Sequence, residues 1–302
     1  MKAVVHHRYG GPEVLEIAEL PEPVVDLDGV LVRVRAAALN PADLGVRSGA
    51  LAGFRASYFP VVPGWDVAGV VERAGPAAPE FAPGDEVIGY VRGEVGHRNG
   101  AYAELVAADV RTLVRKPAAV PWVEAAGLPL AGLTALQAVN TLAPKPGETL
   151  LVHAAAGGAG SLAAQLAVSR GVRVLGTASE PNHGYLRSLG VEPIRYGDGL
   201  AGRVHALASD GIDAVLDTAG RGTLRATPGL GKRVASIAEF DVPGVTPVFA
   251  RLVPADLRTV ADLTEAGKLK VRVARTFPLE EAEAAQRLLA DGHAPGRIVL
   301  LP

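Results

Sequence analysis

Residues Glu148–Gly176 read ETLLVHAAAGGAGSLAAQLAVSRGVRVLG, and this stretch decides the fold. Thr149–His153 is a short apolar run, long enough for one buried strand. Ala154–Ala159 is then almost free of side chains, and Gly157, Gly158 and Gly160 fall within four positions. From Ser161 the period changes. Leu162, Gln165, Leu166 and Ser169 recur at three and four in Ala-rich sequence, as on one face of a helix. Gly171 closes that helix, where a left-handed cap suits glycine, and Val172–Gly176 starts another apolar strand. Strand, Gly-rich turn, helix, strand is the βαβ unit that binds dinucleotides.

The glycines give access. Without Cβ atoms the backbone can approach a pyrophosphate, and N–H groups at a helix N-terminus face the anion. The motif is AAAGGAG, not the strict GxGxxG, and an Ala/Gly-rich turn also permits tight helix–strand packing with no ligand. The flanking strands favour the nucleotide reading.

The chain has 302 residues, 49% hydrophobic and 21% charged, enough for two globular domains. A net charge of −2 gives no electrostatic case for nucleic acid or an anionic membrane. No apolar run reaches the roughly 18–20 residues that span a bilayer. The start, MKAVVHHRYG, has no signal-peptide core, so a cytoplasmic location is expected. The absence of cysteine excludes disulfides, Cys nucleophiles, iron–sulfur clusters and Cys-ligated zinc.

Residues 1–115 read as a barrel-like β domain, with short apolar segments between Pro/Gly turns at Ala3–Val5, Leu15–Ala18, Val30–Ala37, Val67–Ala74, Glu86–Gly89 and Gly100–Val106. Asn40-Pro41 ends a strand, and Asp43 suits the cap of a short helix. Pro63-Gly64 is a turn that needs no ligand to explain it. His97 falls in a polar loop and reads as solvated. Lys116–Pro121 reads as a linker. Helix and strand then alternate to about residue 250. Strands are expected at Ile194–Tyr196, Ala214–Asp217 and Arg233–Ile237, with an edge strand over Val245–Ala250, as in a doubly wound parallel sheet. The tail, with helices at Asp256–Glu265 and Leu279–Leu289 and a strand at Arg297–Leu301, is free to return to the first domain.

Seven segments in this order resemble the quinone oxidoreductase branch of the medium-chain dehydrogenase/reductase superfamily. They are NPADLGVRSG (Asn40–Gly49), PVVPGWDVAGVVERAG (Pro60–Gly75), FAPGDEVIG (Phe81–Gly89), GAYAELV (Gly100–Val106), AAGLPLAGLTALQAV (Ala125–Val139), PGETLLVHAAAGGAGSLAAQLA (Pro146–Ala167) and FPLEEAEAAQRLLADGHAPGRIVL (Phe277–Leu300). The resemblance implies an α/β protein in two domains: a GroES-like β domain built from both chain ends, 1–115 and 252–302, and a Rossmann doubly wound parallel-sheet domain, 116–251. It further implies a homodimer, NADPH as hydride donor, no flavin, and an active site in the interdomain cleft. Zinc-dependent members carry a Cys after the first long strand and a Gly-His-Glu in the second motif. Here Asp43 stands near the first position, Trp65 replaces the His, and no metal site is expected.

By the same resemblance Ala156, Gly157, Gly158, Ala159 and Gly160 bind the pyrophosphate, and Thr134 lies beside the nicotinamide. Asn40 faces the nicotinamide ribose and substrate, and Tyr196 lies near the adenosine phosphate. The end of the second strand, Gly176-Thr177, lacks the acid that binds a ribose 2′-OH in NAD enzymes. Thr177 is read as a cofactor-binding residue, and Ser179 and Arg195 as binding the 2′-phosphate, with Glu180 nearby as the residue that opposes this. The family often has Lys where Asn182 falls and Tyr where Gly45 falls. Asn40 and Asp43 are the catalytic candidates. Asp43 and Arg47 read equally as surface charges in a turn. No general acid stands out, so water is left as the proton source. The expected activity is NADPH-dependent reduction of a quinone. The alternatives are reduction of an enone or alkenal double bond, and a NADPH-binding protein with little turnover.

Overall fold

The computed structural model describes residues 1–54, 57–92 and 100–302. His97 lies outside the described residues. The chain divides into two compact units. One holds Met1–Leu130, Leu252–Glu265 and Val271–Pro302; the other holds Ala131–Arg251 and Ala266–Lys270.

In the second unit six strands form one parallel sheet in the order Glu192–Arg195, Arg173–Ala178, Thr149–His153, Ala214–Asp217, Arg233–Ser236, Thr246–Pro247. Numbered along the chain this order is 3-2-1-4-5-6, the order of a Rossmann sheet. The strands are buried and apolar because helices cover the sheet. Leu151, Leu175, Ile194 and Val215 pack with Leu200 and Val204 of helix Leu200–Leu207 in one apolar cluster. The edge strand expected over Val245–Ala250 is only Thr246–Pro247. Pro247 has no N–H to extend the ladder. The strand expected over Ile194–Tyr196 ends at Arg195. Gly171 and Gly190 take left-handed backbone, at φ 76° each, after their helices.

The first unit is built on a seven-stranded sheet. Its path runs Val273–Pro278, Arg297–Leu301, Gly29–Ala38, Asp66–Ala74, Glu86–Tyr90, Leu113–Arg115, with Leu105–Asp109 also on Gly29–Ala38. The C-terminal strand pairs antiparallel with the first long strand, Val299 opposite Ala38 and Leu300 opposite Ala37. Both chain ends therefore share one core, in which Leu300, Ile298 and Phe277 meet Val30, Val32 and Val67. Helix Trp122–Ala125, just beyond the segment read as a linker, packs on Gly29–Ala38 and Asp66–Ala74 and belongs to this unit. The strand expected over Gly100–Val106 is instead Leu105–Asp109, with only Ala103 bridging to Ala3 before it. Among the described residues no helix is long and apolar enough to cross a membrane.

Leu300 has no exposed surface, so Leu300→Ala should cost about 2–5 kcal/mol of stability in the first unit. Both tryptophans, Trp65 and Trp122, lie in that unit. The urea transition followed by tryptophan emission should shift to lower denaturant. An unmoved midpoint would mean the last strand does not close the core.

Candidate active site

The candidate residues fall into two sets, one in each unit. In the first unit, strand Gly29–Ala38 leads into Asn40, which caps helix Pro41–Ser48. The expected cap at Asp43 is therefore displaced by three residues. Asp43 is the third helical residue, and its Oδ2 accepts the Asn40 N–H at 2.8 Å, the return half of a capping box. The same Oδ2 accepts the Tyr102 hydroxyl at 2.9 Å. Tyr102 fits because Gly64 has no side chain. A Cβ there would lie 2.4 Å from the Tyr102 ring, and Gly64 sits at φ +103°. The Pro63-Gly64 turn thus has a packing reason of its own.

The Asn40 amide faces away from the helix. Its Oδ1 accepts from Arg297 Nη2 at 2.8 Å, and its Nδ2 donates to Asp66 Oδ2 at 3.0 Å. Arg297 Nη2 also donates to Asp66 Oδ2 at 3.0 Å, and Asp66 Oδ1 accepts the Leu130 N–H at 2.9 Å. Asn40, Asp43, Asp66, Tyr102 and Arg297 are all buried. The reading of Asp43 and Arg47 as surface charges does not hold, since their exposures are 0% and 5%. Arg47 Nη1 donates to the Gly10 carbonyl at 2.8 Å. Each charge there costs solvation, and the helix turns both inward onto partners.

Burial raises the Asp43 carboxyl to about 7, against the Asn40 N–H and Tyr102 hydroxyl that favour its charged form. Asp66 is raised by burial to about 6, held lower by Arg297. Burial also lowers Arg297 and raises Tyr102. Asp43 Oδ1 has no hydrogen-bond partner, so a proton taken up near neutrality sits on that oxygen. Trp65, in the place of the zinc-ligand His, is buried with its indole N–H unpartnered and its ring 6.0 Å from that of Tyr90. Among the described residues no group of three or more His, Asp or Glu is placed to hold a metal.

In the second unit, Ala154 at φ 52° turns the chain out of strand Thr149–His153. Helix Gly158–Ser169 follows, with Gly157 as its N-cap and no acidic residue in its first turn. The N–H groups of Gly158, Ala159 and Gly160 have no acceptor among the described residues, as expected for a first turn. Gly157, Gly158 and Ala159 are partly exposed, and Ala156 is buried behind them. A Cβ at Gly160 would lie 2.4 Å from the Ala154 carbonyl oxygen and 2.8 Å from Thr218 Oγ1. That glycine is set by helix–strand packing. None of the three glycines needs a left-handed backbone.

Thr177 Oγ1 accepts the Ala154 N–H at 3.0 Å, and its carbonyl accepts the Ala155 N–H. Thr177 therefore braces the turn. Ser179 accepts from Asn182 Nδ2 at 3.0 Å, and Arg195 pairs with Glu180 at 3.4 Å, both exposed. Tyr196 is exposed beside them, and Thr134 is buried on helix Pro129–Leu142. Sequence reasoning missed Asp66, Tyr102 and Arg297 as partners of Asn40 and Asp43. All three lie within motifs the sequence singles out, Pro60–Gly75, Gly100–Val106 and Phe277–Leu300, but no local pattern marks them as partners.

Asp43 makes stability depend on pH with a definite sign. Its folded carboxyl titrates near 7, above the ordinary 3.8. Between those values the folded state binds the extra proton, so stability from this group falls as pH rises and is flat above the folded value. Wild type should lose stability relative to Asp43→Asn between pH 4.5 and pH 8, as read from urea midpoints. The reverse trend would remove the buried acid.

Comparisons with known proteins give the chain relatives over its whole length. Residues 26–118 match the alcohol dehydrogenase GroES-like domain and residues 190–300 the zinc-binding dehydrogenase family. A chloroplast envelope quinone oxidoreductase homolog of Arabidopsis thaliana is 32% identical over 100% of this chain and 98% of its own. An NADPH-dependent alkenal/one oxidoreductase from the chloroplast of the same plant is 35% identical over 100% of this chain and 80% of its own. The crystal structure of an NAD-dependent alcohol dehydrogenase superposes with a TM-score of 0.88 at 34% identity, covering 100% of both chains. With its whole length matched, the chain belongs to the quinone oxidoreductase branch of the medium-chain dehydrogenase/reductase superfamily, nicotinamide-dependent enzymes that transfer hydride.

Proposed function

We propose that this enzyme reduces quinones with NADPH and without a metal. The observation that carries the reading is the buried cluster around Asn40. Where zinc-dependent members place a Cys and a His, this chain has Asn40–Asp43 and Trp65, and the positive charge hydrogen-bonded to Asn40 is the Arg297 guanidinium. Alcohol oxidation in that superfamily leans on a Lewis acid. A quinone carbonyl is already polarised and accepts hydride without one.

NADPH, when bound, supplies a hydride from C4 of its nicotinamide. The quinone gains that hydride and one proton to give the hydroquinone. Asp43 and Tyr102 have no exposed surface, so the proton comes from water, and Asp43 acts at one remove by fixing the backbone of Asn40. The N–H groups of Gly158, Ala159 and Gly160 hold the pyrophosphate. Ser179, Arg195 and Tyr196 take the 2′-phosphate, which competes with Glu180 for the guanidinium. Arginine suits this because its planar fork matches phosphate. The NADPH-dependent alkenal/one relative supports a second reading, reduction of a conjugated double bond by the same hydride step. The NAD-dependent structural neighbour marks NADH as the rival donor.

The purified protein should oxidise NADPH with a quinone at a rate unchanged by a strong chelator. Loss of activity in chelator with recovery on adding zinc would overturn the metal-free mechanism, and faster turnover of enones would select the second reading. NADPH should bind about ten- to a hundredfold tighter than NADH, from a charge-assisted hydrogen bond of about 1.5–3 kcal/mol. Arg195→Ala should weaken NADPH and leave NADH nearly unchanged. Equal loss for both dinucleotides would take Arg195 out of the phosphate site.

A further inference from the structure

Strand Glu192–Arg195 and helix Leu200–Leu207 are joined by Tyr196, Gly197, Asp198 and Gly199. Arg203, one turn into that helix, reaches back over this loop. Its Nε donates to the Arg195 carbonyl at 3.1 Å, and its Nη1 to the Asp198 carbonyl at 2.8 Å. Its Nη2 donates to the carbonyls of Tyr196 at 3.4 Å and Gly197 at 3.1 Å. One guanidinium thus collects four successive carbonyl oxygens.

The other side of the loop follows from peptide geometry. In a planar trans peptide the C=O of one residue and the N–H of the next point in opposite directions. With the carbonyls of Arg195 to Asp198 turned to Arg203, the N–H groups of Tyr196, Gly197, Asp198 and Gly199 point away from it. Gly197 at φ 89° and Gly199 at φ 74° supply the left-handed steps this needs. Those four N–H groups have no acceptor among the described residues. Successive N–H groups in such an alternation form a concavity suited to anions. The loop stands at the C-terminal end of a parallel strand, beside strand Arg173–Ala178, where doubly wound sheets bind ligands. Arg195 and Glu180 face each other across the same two strand ends.

We propose that Arg203 is a positioning residue for dinucleotide choice: it holds residues 196–199 with their amides turned toward the phosphate on the adenosine ribose. The proposal rests on the NADPH reading above. Arg203 does not touch the phosphate. It fixes the loop beforehand, so little ordering remains to be done on binding.

The test is calorimetric titration of wild type, Arg203→Met and Arg203→Lys with NADPH, NADH, adenosine 2′,5′-bisphosphate and AMP. Arg203→Met should weaken NADPH and the bisphosphate about tenfold, one charge-assisted contact's worth, and leave NADH and AMP within about twofold. Arg203→Lys should recover only part of the loss, because an ammonium keeps the charge but cannot span four carbonyls. Should Arg203→Met fail to fold, Arg203→Lys carries the comparison. Equal weakening of phosphorylated and unphosphorylated ligands would reduce Arg203 to a folding role and overturn the proposal. So would full recovery by lysine, which would leave charge alone as the cause. Wild type with no preference for the phosphorylated ligands would overturn the NADPH reading itself, and that outcome is visible before any variant is made.

Discussion

A guanidinium with almost no exposed surface ties residue 297 to residues 40 and 66. Removing a cation and a carboxylate from water costs several kcal/mol per ion, and close, well-hydrogen-bonded partners must offset it. Arg297 has Asp66 and the Asn40 oxygen at 3.0 and 2.8 Å, and Asp66 has two further donors in Asn40 Nδ2 and the Leu130 N–H. Deleting one partner would strand the other charge, at about 3–5 kcal/mol. The sheet register, the start of helix Pro41–Ser48 and the orientation of Asn40 all have to satisfy this one group. Asp43 makes no hydrogen bond to Arg297, and burial raises both its carboxyl and that of Asp66 above the ordinary range.

The second unit solves a related problem with backbone instead of charge. At the C-terminal ends of its strands, side chains beneath the loops hold the loops in place. Asp217 Oδ1 accepts the N–H groups of Ala219 and Gly220, and its Oδ2 accepts the Ser236 hydroxyl. Thr218 donates to the His153 carbonyl, and Thr177 accepts from Ala154. Backbone amides can meet an anion only when they already point the right way, and these bonds hold the loops in one arrangement.

The βαβ unit was legible because its signals are local: an apolar run, side-chain-free positions, a 3.6-residue period and a closing glycine. The polar cluster was not. Tyr102 and Asp43 are 59 residues apart, and Arg297 and Asp66 231 apart. Nothing in the local sequence says which of them meet. An eight-residue helix likewise shows too little period to tell that Asp43 and Arg47 turn inward. The reading of Gly100–Val106 as a strand failed for a physical reason, since the Tyr102 hydroxyl is drawn to Asp43 and the strand begins only at Leu105. Strand Leu113–Arg115, at three residues, is shorter than any periodicity can reveal.

The shared sheet also sets an order on synthesis. Strand Arg297–Leu301 lies between Val273–Pro278 and Gly29–Ala38, so neither can complete its pairing until residues 297–301 have left the ribosome. Residues 131–251 are contiguous and carry all six strands of their own sheet, so they can close first. Until residues 297–301 emerge, strand Gly29–Ala38 presents an unpaired apolar edge at Ala37 and Ala38, the kind of edge that recruits strands from other molecules. The nascent chain is thus exposed to misassembly at an edge made early, and a strand made more than 250 residues later is the one that protects it.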